Sequence, residues 1–150
     1  MKELQEGDKA PSFKELTAHK GKTVVLYFYP KDNTSGCTVE ACELRDANQK
    51  IVSKKSVVLG VSPDSAKSHD KFIEKFSLPF KLVPDEDHAI SIAYGVWQEK
   101  SMYGRKYWGV VRSTFIIDPA GKIQKLFRKV TPKGHAAEVL AAIENLRTQA

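Results

Sequence analysis

Apolar residues in this chain fall into short unbroken runs, separated by longer stretches where they recur at helical spacing. Thr23-Val24-Val25-Leu26-Tyr27-Phe28-Tyr29 is nearly all apolar and β-prone, which predicts a strand buried on both faces. Pro30 ends it, because proline has no N–H for a ladder. After the loop Lys31-Asp32-Asn33, residues 34 to about 54 read as a helix, with Val39, Cys42, Ala47 and Ile51 loosely spaced among polar residues. Val57-Val58-Leu59-Gly60-Val61 predicts a second buried strand. Ser62-Pro63-Asp64-Ser65 then gathers helix-start residues, and Phe72, Ile73 and Phe76 lie on one face of the predicted helix. Lys81-Leu82-Val83 is a short strand before Pro84, and residues 89–94 form a short helix stopped by Gly95. Ser113-Thr114-Phe115-Ile116-Ile117-Asp118 and residues 122–129 flank the turn Pro119-Ala120-Gly121, a hairpin. Ala136, Val139, Leu140, Ile143 and Leu146 give a last helix its apolar stripe.

The predicted order is strand, helix, strand, helix, strand, helix, hairpin, helix. Strands alternating with helices imply an α/β architecture: a mixed, mostly parallel sheet with helices on both faces. The closing hairpin adds an antiparallel pair. The 150 residues suit one domain spanning 1–150, and no repeat, low-complexity tract or linker interrupts them. No apolar run approaches the roughly 20 residues of a membrane span. Met1-Lys2-Glu3-Leu4-Gln5-Glu6-Gly7-Asp8 has no apolar signal core, so a cytoplasmic location is expected.

A formal charge of +6 raises the question of nucleic acid. Arg105, Lys106, Tyr107 and Trp108 interleave basic and aromatic residues, but no docking motif accompanies them, and a solvated basic surface is the expectation. His19, His69, His88 and His135 have no paired spacing with each other or with the cysteines, so no metal site is expected, and each reads as a surface or packing residue.

Candidate chemistry sits where the first strand hands over to its helix. There the chain reads Pro30-Lys31-Asp32-Asn33-Thr34-Ser35-Gly36-Cys37-Thr38-Val39-Glu40-Ala41-Cys42. With Thr34 as N-cap, Cys37 takes the third helical position, where free N–H groups and the helix dipole favour an anion. The thiolate is the nucleophilic form of cysteine. The Thr34 hydroxyl is expected within reach of the sulfur, and Gly36 lets backbone and substrate approach closely. Four residues separate Cys37 from Cys42, which excludes the Cys-x-x-Cys of a disulfide oxidoreductase. The alternative to chemistry is a binding or chaperone module with inert, buried thiols, for which Trp97, Tyr103, Tyr107 and Trp108 would supply a contact surface.

Pro30, Thr34 and Cys37 fill the pattern Pro-x-x-x-Thr-x-x-Cys, which resembles the active-site signature of peroxiredoxins. Val25-Leu26-Tyr27-Phe28-Tyr29-Pro30-Lys31, Cys37-Thr38-x-Glu40-Ala41-Cys42 and Arg45-Asp46 are similar to the bacterioferritin comigratory protein, or PrxQ, branch. So are Gly60-Val61-Ser62-Pro63-Asp64 and Val111-Arg112-Ser113-Thr114-Phe115-Ile116-Ile117-Asp118. The resemblance runs in order over about residues 7 to 147. It implies a thioredoxin-like fold and a thiol-dependent peroxidase, an antioxidant enzyme that takes hydrogen peroxide and organic hydroperoxides to water and alcohols. It further implies a catalytic group of Thr34, Cys37 and Arg112, with Cys42 resolving the Cys37 sulfenic acid as a disulfide and thioredoxin, or a similar dithiol, reducing it. Pro30, Gly36 and Glu40 are implied as supporting residues. No cofactor, nucleic acid or membrane is implied, and the expected state is a monomer or weak dimer.

Two departures stand out. Ser35 occupies a place where relatives usually carry proline, and proline preorganises the first helical turn. The connection from Phe13 to Lys20-Gly21-Lys22 is short, where relatives usually have a further hairpin-like segment. Helix geometry adds a constraint of its own. Residues five apart in a helix have Cα atoms roughly 8.7 Å apart, and a disulfide is not made beyond about 7 Å without backbone movement. If both cysteines are helical in the reduced chain, the first turns must unwind for them to bond.

Overall fold

A computed structural model describes residues 3–148. Its central strand is β1, Thr23–Phe28, the apolar run that opens the sequence pattern. Because side chains alternate across a strand, the run splits between two cores. Val25, Tyr27 and the following Tyr29 face one side of the sheet, and Val24, Leu26 and Phe28 the other. The run is unbroken because neither face meets water.

Strand β2, Ser56–Ser62, pairs parallel to β1, and β3, Lys81–Pro84, pairs parallel to β2. On the other side of β1 lies β6, Ser113–Ile117, antiparallel to it, and then β7, Ile123–Phe127. The five-stranded order is β3-β2-β1-β6-β7. Helices α2, Ser35–Ser53, α3, Ala66–Phe76, and α5, His135–Thr148, contribute Leu44, Phe72 and Val139 to one face. The short helices α1, Lys14–Thr17, and α4, Ala89–Ala93, lie on the opposite face, where Leu16 and Ile90 pack against the core. Ser65 caps α3 by accepting from the Ser68 N–H at 3.1 Å, as the helix-start cluster predicted.

Two features differ from the expected order. The segment from residue 97 to 110 is a second hairpin, of β4, Trp97–Met102, and β5, Arg105–Val110, in a separate two-stranded sheet. Tyr103 and Gly104 form its turn at φ +52° and +75°, the positive values that a tight two-residue hairpin turn requires. Residues 101–108 are all exposed, so no buried face imposed a hydrophobic period on the sequence. The short connection before β1 is a single helical turn, α1. Ahead of it the chain is tied to the start of β7 by a Lys9–Lys122 bridge and by Gly7 N–H donating to the Ile123 carbonyl at 2.7 Å. None of the described helices is long and apolar enough to cross a membrane.

Candidate functional site

Thr34 is the N-cap of α2, with extended φ and ψ of −89° and 159°, and its carbonyl accepts the first helical bond from Thr38 N–H at 2.8 Å. Cys37 therefore holds the third helical position, as the sequence indicates, and is 1% exposed. The Thr34 hydroxyl departs from expectation. It donates to the Lys31 carbonyl at 2.9 Å and makes no cap bond to the helix. The hydroxyl proton closes the loop behind it, as threonine side chains commonly do in turns.

The partner of the sulfur comes from far along the chain. Arg112 lies in the two-residue link between β5 and β6, its carbonyl held by Val130 N–H at 2.9 Å. Since β6 pairs with β1, this link arrives beside the point where β1 passes into α2. One guanidinium nitrogen, Nη2, donates to Cys37 Sγ at 3.1 Å, and Nη1 donates to Glu40 Oε1 at 2.7 Å. Cys37 and Glu40 are three residues apart and so share one helix face. Arg112 spans both. A cationic donor is thus fixed within hydrogen-bonding reach of the sulfur.

Gly36 leaves room for this approach. A Cβ there would sit 3.3 Å from Arg112 Nη2 and 3.4 Å from Pro132 Cγ. Glu40 is completely covered. Burial pushes its carboxyl up to about 7, against the pull of the adjacent guanidinium. Burial pulls the Arg112 cation down, but Glu40 and Cys37 outweigh it and the net shift is upward. Two buried oxygens here, Glu40 Oε2 and the Tyr27 hydroxyl from β1, have no hydrogen-bond partner among the described residues. Burial, then the neighbouring acidic groups of Glu40 and Cys37, hold the Tyr27 phenol well above its ordinary range.

The loop after Pro30 is anchored from the other direction. Asp32 accepts from the Tyr29 hydroxyl at 2.6 Å and the Ser68 hydroxyl at 2.8 Å, and its Oδ2 lies 2.8 Å from His69 Nδ1. Its backbone N–H donates to Asp64 Oδ2 at 2.7 Å. His69 is thus a buried, hydrogen-bonded residue that ties α3 to the Cys37 loop, which its isolated place in the sequence did not indicate. Asp32, Asp64 and His69 come within ligating distance of one another, and hydrogen bonds within the protein already occupy them. Asn33, beside this anchor, sits at φ +60°, and its side-chain oxygen accepts from Lys75 Nζ at 3.2 Å.

Cys42 is half-buried, on the same uninterrupted helix as Cys37 and five residues on, and both cysteines are free. Helical spacing keeps them beyond bonding reach in this state. Gly36, Cys37, Glu40 and Arg112 thus lie together, Thr34 caps with its backbone alone, and Cys42 stands apart.

Residues 3–126 match the AhpC/TSA family. With that match spanning most of its length, the chain belongs to the AhpC/TSA family. Within that class it is 43% identical to peroxiredoxin Bcp of Bacillus subtilis, over 95% of this chain and 97% of that one. It is 41% identical to peroxiredoxin Bcp of Escherichia coli, over 93% and 96%. Among solved structures, it superposes on Xanthomonas campestris peroxiredoxin Q with a TM-score of 0.83 at 45% identity, covering 87% of this chain and 82% of that one. A Xylella fastidiosa PrxQ variant gives a TM-score of 0.91 at 36% identity, covering 98% and 99%. A further Xanthomonas campestris structure, of its bacterioferritin comigratory protein, is a trapped intermediate/ligand complex bearing on that protein's alkyl peroxide reduction activity. The Bcp/PrxQ branch and the thioredoxin-like fold expected from sequence are those of these relatives.

Proposed function

We propose that this chain is a thiol peroxidase in which the Cys37 thiolate attacks a hydroperoxide. The single observation that carries the reading is the Arg112 guanidinium donating at 3.1 Å to a sulfur at the start of a helix. That sulfur has an anion-favouring backbone on one side and a fixed cation on the other. The alkyl peroxide chemistry of the Xanthomonas relative points to the same substrate class.

In the first step the thiolate attacks one peroxide oxygen and the O–O bond breaks. Sulfur is oxidised to sulfenic acid, and the other oxygen leaves as water or alcohol once it takes up a proton. In the second step the Cys42 thiolate attacks the sulfenic sulfur, forming the S–S bond and releasing water after proton uptake. An external dithiol, thioredoxin in the simplest case, then reduces the disulfide by exchange and is itself oxidised. These steps draw on no metal or organic cofactor. Helical geometry requires the start of α2 to unwind before the second step. Ser35, Gly36, Thr38 and Val39 are weak helix formers, consistent with that demand.

The test is peroxide turnover coupled to thioredoxin, thioredoxin reductase and NADPH, with wild type, Cys37→Ser and Cys42→Ser compared. Loss of peroxide consumption in Cys37→Ser is expected. Cys42→Ser should still react once with peroxide and then stop turning over. Wild-type consumption by Cys37→Ser would overturn the assignment.

A further inference from the structure

The β4–β5 hairpin presents an inverted surface. From Gln98 to Trp108 every residue is exposed except one, and that one is Lys100. Tyr103 and Trp108 stand in solvent, while a lysine, the side chain that most favours water, is half-covered. A lysine held in this way needs a reason.

Its stem runs across Gly109 on the facing strand. A Cβ at Gly109 would lie 3.3 Å from Lys100 Cδ and 3.4 Å from the Tyr107 ring, so this glycine leaves the passage open. The Lys100 ammonium reaches the end of β5 and donates to the Val110 carbonyl at 2.9 Å. Val110 is two residues before Arg112. Partial burial, followed by repulsion from Arg112, lowers the Lys100 ammonium, while Cys37 opposes that shift. The ammonium is thus fixed to the backbone two residues before the arginine that donates to Cys37.

We propose that Lys100 is a positioning residue for the peroxidase site: it holds the backbone that carries Arg112 and adds a second positive charge to the field at Cys37. The inference rests on Cys37 being the attacking thiolate. The ionisable groups around this site include Arg112 in the β5–β6 link, Glu40 and, behind it, Glu43 on α2, Tyr27 on β1, and His135 on α5, which Arg112 also influences. On the hairpin itself, Glu99 pairs with Lys106. Removing Lys100 leaves the Arg112–Glu40 pair and both cysteines in place.

The experiment is single-turnover oxidation of Cys37 by hydrogen peroxide, followed against pH and salt, for wild type, Lys100→Gln and Lys100→Arg, with Cys37→Ser as control. Urea unfolding checks that each variant is folded. A partly screened charge of this kind is worth roughly a two- to fivefold change in rate near neutral pH. Lys100→Gln should slow the reaction by that factor and move the acid limb of the pH–rate profile to higher pH. Its rate should also lose part of the wild-type salt dependence, and Lys100→Arg should restore all three. A Lys100→Gln rate profile that overlays wild type at every pH overturns the proposal. So does a uniform slowing that leaves the shape of the profile and the salt dependence unchanged, since that marks a purely structural latch. If wild type reacts no faster than Cys37→Ser, the underlying assignment of Cys37 fails instead.

Discussion

Replacing Arg112 with alanine separates what the guanidinium does for the reaction from what it does for the fold. The side chain makes two charge-assisted bonds, to Cys37 Sγ at 3.1 Å and to Glu40 Oε1 at 2.7 Å. Losing the first removes an interaction of about 1.5–3 kcal/mol. If all of it acts in the transition state, oxidation of Cys37 slows roughly 10- to 150-fold. Losing the second strands a carboxyl that has no exposure at all. Breaking a buried pair ordinarily costs about 3–5 kcal/mol, because a charge is left uncompensated. Here the loss should fall well short of that. Glu40 already titrates at about 7 with the cation present, so without it the carboxyl takes a proton at neutral pH and avoids the uncompensated charge. What remains is the lost hydrogen bond, about 1–2 kcal/mol. Arg112→Ala should therefore be folded, modestly destabilised to urea, and slow in stopped-flow oxidation. Adding Glu40→Gln should recover part of the stability and none of the rate. Oxidation of Arg112→Ala at close to the wild-type rate would refute the role of the guanidinium. Recovery of rate in the double variant would show that Arg112 acted only through the fold.

Three further outcomes are expected. Glu40 has a folded value of about 7 against an ordinary 4.5, so its ionised form is disfavoured by folding; the stability of wild type relative to Glu40→Gln should fall by about 3 kcal/mol as pH rises through that window and level off above it, as urea titrations across pH would measure. Burial pushes the Asp32 carboxyl up, but bonds to His69, Tyr29 and Ser68 outweigh it and hold it below its ordinary value; His69→Ala should cost about 1–3 kcal/mol near neutrality, and the deficit should shrink as acid protonates Asp32, so a deficit unchanged down to strongly acidic pH would contradict this anchor. Ser35→Pro stiffens the first turn of α2 and should slow disulfide formation with little effect on the initial peroxide attack; amide exchange over residues 35–43 should show protection lost on oxidation, and equal protection in both redox forms would exclude unwinding.

Much of the architecture is set by local pattern. The unbroken apolar run of β1 announced a strand covered on both sides, and Ser62-Pro63-Asp64-Ser65 marked the start of α3, because such signals depend on neighbours in sequence. The helix-start position of Cys37 was legible for the same reason: Thr34 and the cysteine three residues on belong to one turn. The β4–β5 hairpin was not legible. Residues 101–108 around its turn are all exposed, so no core selected an alternating pattern there, and a Tyr-Gly turn is a weaker signal than Asn-Gly.

The electrostatics of the site depend on chain crossings that no local pattern encodes. Arg112 and Cys37 are 75 residues apart, and only the antiparallel pairing of β6 with β1 brings the guanidinium to the sulfur. Resemblance to a family pointed to Arg112, but its bond to the buried Glu40 and its clearance over Gly36 come from packing. His69 had the look of an isolated histidine until α3, folded against β3, set it between Asp32 and the Val83 carbonyl. Lys100 had the look of one more surface cation until Gly109 opened a path for its stem across β5. Position along a helix or strand is set by bonds between near neighbours. The burial and charge environment of a side chain are set by whichever distant segments the sheet order brings against it.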